Sequence, residues 1–241
     1  MKKFIFLLVV MMNVIITSTC FAGAFAKTAG LPKIAVGEVA SYGEHSLKQQ
    51  FFPTFKELLL EQLQNSGKLE VVYTSFSPAE SNVLSQVHMN AIVHSKLFVR
   101  ERAKINLVRY FRSLDHTPKA AADVYKLDAF AKLALSSIDE LAAADYVLFC
   151  DLQNAEVGDI HGTFNRGTRV KVEVNYYLVN KNNGLVYAET SNINKSSQLV
   201  NLLFVRYGKE FTTEQILQTI LEMHSEAIAK DITAKGIKKL K

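Results

Sequence analysis

The sequence predicts an α/β domain with a mixed sheet and flanking helices. Three observations carry that prediction. Lys33 to Ala40 (KIAVGEVA) and Leu69 to Tyr73 (LEVVY) are short β-type runs on either side of a helical period. Ala144 to Leu152 (ADYVLFCDL) leads from an Ala-rich helical stretch into an apolar strand. Arg169 to Leu178 alternates apolar and polar residues and reaches Asn183-Gly184, a hairpin signal.

In chain order, Lys33 to Ala40 is the first strand. From Ser46 to Asn65 the apolar residues Phe55, Leu58, Leu59 and Leu63 recur at helical steps. Asn65-Ser66-Gly67 is a helix stop, and LEVVY then completes a βαβ-like unit. Ser77 followed by Pro78 marks a helix start. Ser75 to Pro118 is otherwise the least regular region, read as a basic helical insertion with a helix from Lys96 to Leu114. Lys119 to Ala143 reads as one or two helices, and Tyr146 to Leu152 as a strand.

In the hairpin, Val170, Val172, Val174, Tyr176 and Leu178 share one face; Arg169, Lys171, Glu173 and Asn175 share the other. This alternation predicts an antiparallel sheet with one buried and one wet face. The return strand runs from Leu185 towards Ile193. A long C-terminal helix from Thr212 to Lys235 follows, with Ile216, Ile220, Met223 and Ile228 facing inward and Lys235-Gly236 ending it.

The N-terminus reads as a secretory signal peptide: Lys2 and Lys3, an apolar run from Phe4 to Ile16, then Ala24-Phe25-Ala26. That run is shorter than the roughly 20 residues of a spanning helix. Cleavage after Ala26 takes 26 residues from 241 and leaves 215, read as one domain spanning 27–241. Cys20 is the alternative, a lipidation site, but Thr17 and Thr19 fit a lipobox poorly. The 28 basic against 23 acidic residues are too balanced to point to nucleic acid.

SGKLEVVYTS, AADYVLFCDLQ and the hairpin ending in Val179-Asn180-Lys181-Asn182-Asn183-Gly184 occur in this order, and together they resemble the CsgG-like family of curli secretion channels. The architecture is similar to that of penicillin-binding-protein activator lipoproteins and the N-terminal domain of TolB. The resemblance implies a non-catalytic periplasmic protein acting as a binding or assembly component of an envelope complex, with protein partners and a homo-oligomer as one option. A lipidated, outer-membrane-linked channel relative or an activator of cell-wall synthesis is the alternative. The family's membrane-crossing hairpins are not expected: Gln153 to Arg169 carries Glu156, Asp159, His161, Asn165 and Arg166, which break any lipid-facing row.

No catalytic, cofactor or metal motif emerges. His161 and Asp159 supply two ligands of the three or four that zinc needs, and make a metal-dependent hydrolase a third reading. His88 and His94 are six apart and do not share a helix face. Cys150 lies in an apolar strand as a core residue. His45, His116 and His224 read as surface or hydrogen-bonded residues. The candidate binding residues are Lys96, Arg100, Arg102, Lys104, Arg109 and Arg112, expected to meet anionic lipid, cell-wall polymer or an acidic partner.

Overall fold

The computed structural model describes residues 30–41, 51–97, 128–161, 165–202, 205–207 and 211–240. It divides into two compact units, 1–32 and 33–241, and every described strand and helix belongs to the second. The centre of that unit is an open six-stranded sheet in the order β2-β1-β3-β4-β5-β6. The strands are β1 Lys33–Ala40, β2 Glu70–Val72, β3 Tyr146–His161, β4 Asn165–Asn180, β5 Val186–Leu202 and β6 Val205–Tyr207. β2, β1 and β3 are parallel, and β3 to β6 are antiparallel. The predicted mixed α/β sheet is the one observed.

Helix α1 (Phe51–Asn65) buries Phe55, Leu59 and Leu63, one every four residues, against the sheet. It stops where expected. The Ser66 amide bonds back to the Gln62 carbonyl at 3.2 Å, and Gly67 takes a φ of 63°, open to glycine without a Cβ penalty. Helix α2 (Pro78–His94) starts with a capping box: the Glu80 amide donates to Ser77 Oγ, and the Ser77 amide donates to Glu80 Oε2 at 2.8 Å.

The region read as least regular therefore holds a 17-residue helix ending at His94. Val87, His88, Met89, Asn90, Ala91 and Ile92 are all buried in succession. A segment buried all round shows no amphipathic stripe, so periodicity did not carry the helix from its Ser77-Pro78 start to His94. Lys96 and Leu97 lie in the turn after α2 and not in a helix; the remainder of the expected basic helix, and of the insertion, lies outside the described residues. Helix α3 (Asp128–Ser136) and a 3₁₀ turn (Asp139–Leu141) lead into β3.

Helix α4 (Thr213–Asp231) is capped by Thr212 and Gln215 in a second capping box. It does not end at Gly236: a π turn (Ile232–Gly236) carries it into a last turn, Ile237–Lys239. Ile216, Ile220 and Ile228 face inward as expected, but Met223 is 37% exposed. The buried stripe instead continues through Leu217, Leu221, His224 and Ser225.

Two cores result. α1 and α4 cover one sheet face with Leu148, Val172, Val174 and Leu178; α2 and α3 cover the other with Val147, Phe149, Tyr177 and Val179. No described helix is long and apolar enough to cross a membrane.

Candidate binding surface

The strand lengths define the site. β3 was expected to end at Leu152 and runs to His161; β5 was expected to fade at Ile193 and runs to Leu202. β1 follows β3 only as far as Ala40, opposite Asp151. The β3–β4–β5 sheet thus has an inner half beside β1 and an outer half beyond it.

In the inner half the expected wet face is covered. Glu173 is 3% exposed, and Asn175, Tyr177 and Val179 are fully buried. The alternation was real, but α2 and α3 pack on the second face at Tyr177 and Val179, and Asn175 and Glu173 next to them are buried as well. Asp151 and Gln153 join this buried polar belt from β3, where the register slips between Leu152 and Asn154. Side-chain bonds link the belt: Gln153 donates to Asp151, Thr190 Oγ1 donates to Asn175 Oδ1 at 2.6 Å, and Asn192 Nδ2 donates to Glu173 Oε2 at 3.3 Å. Hydrogen bonding is what lets such groups sit in a core at modest net cost. The belt went unrecognised because polar residues at every second strand position give the same signal as a solvated face.

In the outer half the two faces diverge. Val170 and Val172 are buried against the α4 side, with Ala155 and Ile193 packed beside them. The opposite face presents Gly158, Arg169, Asn192, Asn194 and Ser196, all exposed, with Lys171 and Glu156 paired across β3 and β4. This is a flat, mixed donor and acceptor surface on three long strands. Such a surface can hold another protein by many hydrogen bonds.

Of the predicted binding residues, Lys96 alone falls among the described residues. Lys96 is exposed and forms an ion pair with Glu189 at the β5 edge, so its charge already has a partner. Arg100, Arg102, Lys104, Arg109 and Arg112 lie outside the described residues, as do Cys20, His45 and His116.

The candidate chemical groups lie apart from one another. His161 Nε2 stands 3.9 Å from Asp159 Oδ2 with both side chains mostly exposed, and among the described residues no group of three His, Cys, Asp or Glu could hold a metal ion. Cys150 is fully buried, and burial together with the Asp151 charge pushes its thiol far up, away from the reactive thiolate.

His88 is buried in the second core, its ring stacked on Phe149 at 5.0 Å and edge-on to Tyr177 at 5.6 Å. Burial pulls it down to about 3, so it is neutral. His224 is buried on the other side, and burial pulls it down to about 4, the Val172 carbonyl resisting. Its Nε2–H donates to Val172 O at 3.1 Å and its Nδ1 accepts from Ser191 Oγ at 2.8 Å, joining α4 to β4 and β5.

A second polar cluster sits at the opposite end of the hairpin. Asp231 Oδ2 accepts from the hydroxyls of Tyr176, at 2.7 Å, and Tyr187, at 2.5 Å. Its Oδ1 lies 3.1 Å from Lys235 Nζ. Burial works to raise this carboxyl, but the bonds from Tyr187, Tyr176 and Lys235 outweigh it and hold the group below its ordinary value. Both phenols are pushed up, first by burial and then by their bonds to Asp231.

Taken together, fold and surface define an α/β protein with a hydrogen-bonding sheet face. No protein-family profile matches the chain, and no curated protein sequence does. Among solved structures it is similar to a hypothetical protein from Chlamydia trachomatis, with 13% identity over 85% of this chain and 99% of that one, and a TM-score of 0.46. It is also similar to a lipoprotein from Neisseria meningitidis, with 14% identity over 83% of this chain and 99% of that one, and a TM-score of 0.33. The LpoB C-terminal domain from Salmonella enterica shows 12% identity over 70% of this chain and 86% of that one, with a TM-score of 0.30.

Proposed function

We propose that this chain is an exported, non-catalytic cell-envelope protein that works by holding a protein partner on the outer half of its β3–β4–β5 sheet. The observation that carries the reading is the bare polar face around Arg169, Asn192, Asn194 and Ser196, beyond the helices that cover the same face further in. The N-terminal residues Met1 to Ala26 supply the export signal, and the order of motifs resembling the CsgG-like family supports an assembly role.

The test is a triple variant, Arg169→Ala with Asn194→Ala and Ser196→Ala, run beside the wild type. On native gels of solubilised envelopes the variant should migrate as a smaller species, with its urea midpoint close to the wild-type value. Unchanged migration overturns the assignment of this face. Recovery of the protein with an uncleaved N-terminus, in the cytosolic fraction only, overturns the export reading.

A further inference from the structure

The helices α1 and α4 leave a small groove between them. It lies at the C-terminal end of α1 and the last turns of α4, and its volume is about 240 Å³. The α1 end contributes Gln62, Asn65 and Lys68; α4 contributes Glu226, Lys230, Thr233 and the buried Ala229. Pockets for drug-sized ligands run from about 300 to 1,000 Å³, so this one suits a ligand of amino-acid size.

The charges of the groove are unspent. Lys68, Glu226 and Lys230 are all exposed, and none of the three forms an ion pair among the described residues. Glu226 and Lys230 stand one turn apart on α4, with the acid before the base, the order that favours an intrahelical pair. The next such couple on this helix, Asp231 and Lys235, is closed at 3.1 Å. A helix C-terminus attracts lysines through its dipole, which accounts for Lys230 but not for an acid left open beside it. The hydroxyls, by contrast, are committed. Ser66 Oγ donates to the Leu63 carbonyl at 2.6 Å, and Thr233 Oγ1 donates to the Lys230 carbonyl at 3.0 Å. What the groove offers a ligand is therefore two ammonium groups, one carboxylate and the Gln62 and Asn65 amides.

We infer that the groove is a binding site for a free acidic α-amino acid, glutamate or aspartate. Such a molecule carries one ammonium and two carboxylates, the complement of the three open charges. Glu226 takes its ammonium, and Lys68 and Lys230 take one carboxylate each. The three side chains are exposed, so each contact is worth little and binding is in fast exchange. The groove lies on the α1 and α4 side of the sheet, away from the polar outer face, and the two assignments stand or fall separately.

The experiment is an NMR titration of the full mature chain at fixed pH and ionic strength. Glutamate should move the amide resonances of Asn65, Lys68 and Lys230 along saturable curves. N-acetylglutamate, which lacks the ammonium, and glutamine, which lacks one carboxylate, should each bind about threefold more weakly. Glu226→Gln should erase the preference for glutamate over N-acetylglutamate, and Lys230→Ala the preference for glutamate over glutamine. Both are exposed positions at which substitution leaves the fold intact. Shifts that stay linear in glutamate, shifts confined to residues outside the groove, or equal affinity for the three compounds overturn the site. Preferences that survive in both variants overturn the roles given to Glu226 and Lys230.

Discussion

Acid should destabilise this protein through two neutral histidines, well before its carboxylates titrate. His88 and His224 lie in different cores and are pulled to about 3 and about 4, from an ordinary value of 6.5. In each case the folded state binds the proton less well than the unfolded chain. The stability each contributes is complete above pH 6.5 and is lost as pH falls from there towards its folded value. At pH 5 each is about 1.5 units into that window, and at about 1.36 kcal/mol per unit each costs about 2 kcal/mol. The pair together costs about 4 kcal/mol, a large part of the 5–15 kcal/mol of a typical domain. With a urea m-value of about 2 kcal/mol/M, the midpoint should fall by about 2 M between pH 7.5 and pH 5. The double variant His88→Leu with His224→Gln should lose most of that pH dependence, whatever its stability at pH 7.5. If the variant does not fold, the wild-type imidazole resonances serve: neither should titrate between pH 7.5 and pH 5. An unchanged slope in the variant, or a titration in that range, would refute the burial of neutral rings.

Two further predictions concern packing. Gly37→Ala would place a Cβ 2.6 Å from Phe149 Cε1, in a ring that is fully buried and stacked on His88. The overpacking should cost about 1–3 kcal/mol. Adding Phe149→Leu should recover about 1 kcal/mol or more in a double-mutant cycle read by urea unfolding, and strict additivity would show that the ring yields on its own. Gly184→Ala forces a side chain onto a φ of 71° in the β4–β5 turn and should cost about 1–2 kcal/mol by the same assay; no loss would mean that the turn relaxes to another type.

Much of the fold was legible because its signals are local. Gly67 and Gly184 sit at positive φ where Asn65-Ser66-Gly67 and Asn183-Gly184 pointed to a stop and a turn. Ser77 and Thr212 cap the helices they precede. β1 and β2 pair in parallel, as a βαβ unit requires. The failures are tertiary. The start of helix α2 was legible at Ser77-Pro78, but its length was not, because Val87 to Ile92 are buried in succession and leave no 3.6-residue stripe. Asp151, Glu173 and Asn175 have the spacing of solvent-facing residues, and only the tertiary packing makes them core. Asp231, Tyr176 and Tyr187 meet from three elements, and no local signal announces that cluster or the π turn that follows it. The outer sheet face was legible as wet, but not its extent, because polar residues after Leu152 and Ile193 hide the continuation of β3 and β5.

Site-specific photo-crosslinking in intact envelopes tests the binding role of the outer sheet face most directly. A photoreactive residue at Asn194, on the exposed outer face, is compared with one at Met223, exposed on α4 across the sheet. A discrete higher-mass adduct of defined size is expected from Asn194, and monomer alone from Met223. Monomer alone from both positions, or the same adduct from both, would contradict a partner held on that face.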